Sequence, residues 1–140
     1  MAANTKPIYS RLADVQWGVI SAANTAKDGT GTVVTVFAAD ATNGGRVERL
    51  RIRSLGTNVA TVLRVFINNG STNATAANNS LYEEITLPAT TLDEDAALTN
   101  QEIKFNDGDG LVLPPGYKLN ITIGTTVAAG YAVTAVGGKY

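Results

Sequence analysis

Residues Arg46 to Ser54, RVERLRIRS, hold the densest chemistry in the chain. Successive side chains of a strand point to opposite faces, so Arg49, Arg51 and Arg53 fall on one face while Leu50 and Ile52 fall on the other. Guanidinium groups two residues apart stand about 7 Å from one another along a strand. Such a row can grip carboxylates or phosphates bidentately. It equally suits a solvated outer sheet face, or pairing with acids on adjacent strands. The acid–base candidates are all carboxylates: Glu83, Glu84, Asp93, Glu94, Asp95, Glu102, Asp107 and Asp109. A carboxylate pair can cleave glycosides, but nine aromatic residues and long loops of small residues leave little material for a deep substrate cleft. The expectation is a protein that is not an enzyme, with no catalytic residue. Asp93-Glu94-Asp95 lacks the glycine-bearing spacing of a calcium loop, and Asn106-Asp107-Gly108-Asp109-Gly110 is too short for one. Both read as solvated acids and turn residues, and neither a metal nor a cofactor is expected.

The chain has no Cys and no His. That removes disulfides, thiolate and imidazole metal ligands, and the Ser-His and Cys-His nucleophile pairs. The start, MAANTKPIYSRL, has no basic segment followed by an apolar run, so the expectation is a protein made in the cytoplasm and not secreted. No window approaches eighteen apolar residues, so no membrane partner is expected. A net charge of -1 does not favour nucleic acid. The charge is unevenly placed, however. Residues 1–70 carry eight Lys and Arg against four acids, and residues 71–140 carry three against eight. The split fits complementary faces, within one molecule or between neighbouring copies.

The elements that must position these groups read as strands. In Lys118 to Ile123, Leu119, Ile121 and Ile123 oppose Lys118, Asn120 and Thr122. Pro115-Gly116 before them suits the central pair of a type II turn. Tyr131 to Val136 alternates in the same way, and Gly137-Gly138 is expected to stop it. Residues 1–14 read as an extended arm that Ile8 and Tyr9 can anchor on a partner, and residues 15–140 as one domain. Val15, Trp17 and Val19 alternate with Gln16 and Gly18, with Trp17 expected in core or interface packing. Thr32 to Ala39 is a β-branched strand, and Asn43-Gly44 a tight turn. Val59 to Asn68 is apolar on both faces, so it is either central and covered on each side or covered by a partner subunit. Residues 69–80 read as an exposed loop tip. Leu81 to Leu87, Gln101 to Phe105 and Leu111 to Leu113 complete the strands. Residues 88–100 read as an acidic loop or one helical turn.

Eight or nine strands with no secure helix predict an all-β fold, an antiparallel two-sheet β-sandwich. Long connections favour strands that cross between the sheets, jelly-roll-like, with an up-and-down β-barrel as the alternative.

The start MAANTKPIYSRLADV, the Asn/Thr/Ala/Gly-rich strands and loops, and the ending GLVLPPGYKLNITIGTTVAAGYAVTAVGGKY resemble the small virion proteins that decorate or cement the capsids of tailed bacteriophages. The resemblance implies a jelly-roll-like homotrimer on the capsid exterior of the virion, bound across subunits of the major capsid protein, with no catalytic residues. On that reading Ile8, Tyr9 and Arg11 of the arm and the Arg49, Arg51, Arg53 row meet the capsid or a sister subunit. The alternative from another class is a carbohydrate- or receptor-binding module of a phage tail or fibre. It would use Trp17, Tyr82, Tyr117 or Tyr131 as stacking platforms.

Overall fold

Nine strands form where the apolar alternation places them, in a computed structural model that describes residues 10–98, 100–106 and 109–140. They are β1 (Leu12–Ile20), β2 (Val34–Ala38), β3 (Gly45–Ser54), β4 (Thr61–Asn68), β5 (Asn79–Leu87), β6 (Asn100–Lys104), β7 (Leu111–Leu113), β8 (Lys118–Ile123) and β9 (Tyr131–Lys139). A 3₁₀ turn, Ala76–Asn78, precedes β5. Sheet A has the order β1-β9-β3-β6, with β7 also on β3, and sheet B has the order β2-β8-β4-β5. Both are antiparallel throughout.

β6 pairs with Arg49 to Arg53 of β3, and β7 pairs with Gly45 to Val47. The two therefore lie along one edge of β3, as one edge strand interrupted between Lys104 and Leu111. Apart from this break and the β4–β5 hairpin, each connection between the described strands passes from one sheet to the other. That is the jelly-roll pattern, and it sets the up-and-down barrel aside. Leu50, Ile52, Leu63, Val65, Leu119, Ile121, Ile123, Val133 and Ala135 from both inner faces form the core, each at most 1% exposed. The 88–100 segment, where described, is irregular rather than helical.

Two local devices shape sheet A. Strict alternation would put Val47 on the arginine face, but Glu48 is an extra residue in the β3–β9 register, which passes from Val47↔Gly137 to Arg49↔Val136. The bulge reverses the side-chain direction. Val47 joins the core at 0% exposure while the arginines stay outside. β9 also runs through Gly137 and Gly138 to Lys139 rather than stopping there. A Cβ on Gly137 would fall on the Arg46 carbonyl, so these glycines permit close strand approach.

β1 begins at Leu12, and the Arg11 N–H donates to the Lys139 carbonyl. Leu12 to Asp14 thus belong to the sheet, not to the extended arm. The Pro115-Gly116 turn matches the sequence expectation, whereas at Asn43-Gly44 only Gly44 takes positive φ and its N–H closes a wider turn on the Asp40 carbonyl. The Tyr117 N–H donates to the Pro114 carbonyl across Pro115-Gly116, with Gly116 at φ 78°.

Candidate interaction face

The outer face of sheet A is assembled by register. Val15, Val136, Arg49 and Lys104 lie side by side across β1, β9, β3 and β6. The next row is Trp17, Thr134, Arg51 and Glu102, and the third is Val19, Ala132, Arg53 and Asn100. An apolar edge stripe on β1 therefore runs parallel to a cationic stripe on β3, with the small side chains of β9 between them.

Trp17 is 69% exposed, Val15 48% and Val19 57%. This takes Trp17 out of the core, and the cause is the other face of β1. Gln16 turns inward and pairs with the end of β2, its Nε2 donating to the Ala38 carbonyl at 3.0 Å and its Oε1 accepting from the Ala38 N–H at 2.9 Å. Gly18 packs so close to β2 that a Cβ would lie 2.5 Å from Cγ1 of Val34. No large side chain fits inward there, so Val15, Trp17 and Val19 face out, and of the inward-facing positions only Ile20 at the end of the strand enters the core, at 4% exposure.

In the arginine row, Arg49 Nε lies 3.5 Å from Glu102 Oε1. Arg51 and Arg53 are exposed and make no ion pair or hydrogen bond among the described residues. Of the arm residues, Arg11 is exposed at the start of β1, and Ile8 and Tyr9 lie outside the described residues.

The four aromatic residues of the sugar-binding alternative are not brought together. Trp17 lies on sheet A. Tyr82 of β5 tilts against Phe105 with ring centroids 5.8 Å apart. Tyr117 packs partly buried on the core, and Tyr131 is buried at 3% exposure. Burial raises the Tyr131 hydroxyl above the usual phenol range. The exposed acids are set apart from the arginine row: Glu83 and Glu84 on β5, and Asp93, Glu94 and Asp95 in the loop after it. Glu84 Oε1 accepts from Arg64 Nε at 3.0 Å. Asp93 Oδ1 accepts from the Asp95 N–H, as a turn residue does. No group of three His, Cys, Asp or Glu suited to a metal forms among the described residues, and Asp107 lies outside them. No helix among the described residues is long and apolar enough to cross a membrane.

Outside sheet B, the 69–80 loop is exposed along most of its length but firmly tied. Asn73 Nδ2 donates to the carbonyls of Gly29 and Gly31 at 3.2 and 2.8 Å. Asn79 Nδ2 donates to those of Asp28 and Asn73 at 3.1 and 2.9 Å. The loop and the β2–β8–β4 surface line a polar concavity that sequence reasoning missed. The polarity of Lys118 and Asn120 was the available signal, but the loop's return over them is a long-range contact. β4 is central and covered on each side within the chain: Leu63 and Val65 enter the core, while Phe66, on the opposite face beside Asn120, is 0% exposed. Set against protein-family models, curated proteins and solved structures, the chain matches none of them.

Proposed function

We propose that this chain is a non-enzymatic structural protein of a bacteriophage virion, a homotrimer that decorates or cements the capsid exterior by binding across subunits of the major capsid protein. The observation that carries the reading is the outer face of sheet A, where exposed Val15, Trp17 and Val19 run beside Arg51 and Arg53. An exposed apolar stripe with adjoining arginines has the composition of an interface centre, enriched in Trp and Arg. A jelly-roll sandwich and the resemblance of the sequence to capsid decoration proteins support it further. Repetition over a shell supplies avidity, so each contact can be modest.

The test is co-sedimentation of the protein with shells of the cognate capsid protein, together with its mass by light scattering. The reading expects a mass near three times 14.6 kDa and binding that is lost in the R49A/R51A/R53A variant while the fold remains. Undiminished binding by that variant removes the arginine row from the interface. Absence of binding by the unaltered protein overturns the capsid assignment.

A further inference from the structure

The concavity outside sheet B has a volume of about 200 Å³. Its walls include Thr35 of β2, Lys118 and Asn120 of β8, and Ser71, Thr72 and Asn73 of the β4–β5 loop. Asn120 is only 3% exposed. Its Oδ1 accepts from the Thr35 hydroxyl at 2.7 Å, whereas its amide nitrogen has no hydrogen-bond partner among the described residues. The Lys118 ammonium likewise makes no ion pair or hydrogen bond among them. That nitrogen is not among the sealed, unpaired buried atoms; it opens into the concavity beside the Lys118 ammonium, so the wall presents a neutral donor next to a cation for an acceptor from outside.

The lining residues include no acid and one cation. A single ammonium balances one negative charge, so a monocarboxylate is matched and a phosphate dianion is left with excess charge. The hydroxyls of Ser71 and Thr72 add neutral donors and acceptors suited to ligand hydroxyls. The volume lies below the roughly 300–1,000 Å³ of drug-sized pockets, which limits the occupant to about a monosaccharide. The loop wall is held in place by the Asn73 and Asn79 bonds described above, so little ordering is needed on binding.

We infer that this concavity binds a sugar acid, its carboxylate on the Lys118 ammonium and a hydroxyl or ring oxygen on the Asn120 amide. The site is on the opposite sheet from the arginine face and stands independently of the virion reading.

The experiment is an NMR titration of the full chain, labelled with ¹⁵N, using glucuronate, glucose and inorganic phosphate as probes. Glucuronate is expected to bind in the roughly millimolar range, with shifts centred on Gly70 to Asn73 and Lys118 to Asn120. K118M should weaken it about tenfold or more at an unchanged melting temperature, and K118R should retain it. The inference is overturned by no shift at these amides, by glucose binding as well as glucuronate, by phosphate binding more tightly, or by K118M binding like the unaltered chain.

Discussion

Arg51 and Glu102 stand directly opposite each other on β3 and β6, yet the Glu102 carboxylate approaches Arg49, two pairs along the ladder on the same face, with Nε and Oε1 3.5 Å apart. The Arg49 side chain is 42% exposed and that of Glu102 27%. A solvent-screened pair of this kind contributes about 0–1 kcal/mol. The arginine row is therefore not needed for folding. Changing Arg51 and Arg53 to Ala should move the denaturation free energy by about 0.5 kcal/mol or less, while co-sedimentation with capsid shells is lost. A large stability loss in urea titration would mean that the row has a structural role.

Gly137 and Gly116 separate two reasons for glycine. A Cβ on Gly137 would meet the Arg46 carbonyl where β3 bulges, and backbone cannot yield as a flexible side chain can. G137A should cost about 3 kcal/mol. Gly116 has nothing within 4 Å of a Cβ but sits at φ 78°, so G116A should cost about 1 kcal/mol, the left-handed penalty alone. Chemical denaturation of both variants checks the order; equal losses would contradict it.

Asn58, 3% exposed, fastens one end of the sandwich. Its Nδ2 donates to Ser54 Oγ and the Gly130 carbonyl at 2.9 and 3.0 Å. Its Oδ1 accepts from the N–H groups of Ala129 and Gly130 at 2.8 and 3.0 Å. N58A leaves the Ala129 and Gly130 N–H groups without their acceptor, while Ser54 Oγ and the Gly130 carbonyl keep other partners, and should cost about 3 kcal/mol. N58D keeps the acceptor but loses the donor, so calorimetry should place it below the unaltered chain as well.

Three groups add pH dependence to stability. Asp40 is held below the ordinary carboxylate range by the Asn43 and then the Thr42 N–H, and Asp28 by the Thr30 hydroxyl and then its N–H. A depressed folded value contributes stability above the unfolded value, lost as pH falls through the folded one. Tyr131 is shifted upward by burial; its contribution is full below the unfolded phenol value and is lost as pH rises through the folded one. Thermal melts should decline at the acid end less steeply in D28N/D40N, and at the alkaline end less steeply in Y131F. Superimposable pH profiles would contradict these assignments.

How much of this was legible follows from the range of each interaction. Leu119, Ile121 and Ile123 declare their face because one side of β8 is buried in the core, and Pro115-Gly116 declares its turn because the constraint is local. Parity alone would misplace Val47, because the Glu48 bulge exists only against β9. β6 and β7 read as separate strands because only β3 reveals them as one interrupted edge. The 69–80 loop reads as free because its asparagine amides find carbonyls up to 51 residues away. For the same reason Lys118 and Asn120 show polarity in sequence but no pocket. On β1 the alternation was visible while its direction was not, since that depends on Gln16 and Gly18 meeting β2.

Trp17 reports on its own face. At 69% exposure its indole should emit as a solvated chromophore in the isolated subunit, without other tryptophans to obscure it. Burial of Val15, Trp17 and Val19 in a contact would shift emission to the blue and reduce quenching by acrylamide, as the indole leaves water. W17A should change folding stability by about 0.5 kcal/mol or less, since the side chain is outside the core, yet weaken association by about 2 kcal/mol or more if Trp17 is an anchor. The two effects are read together, by denaturation of the variant and by emission of the unaltered protein mixed with capsid shells. A blue shift that appears with shells and tracks binding supports sheet A as the docking face. Binding with unchanged emission would transfer the contact to another surface.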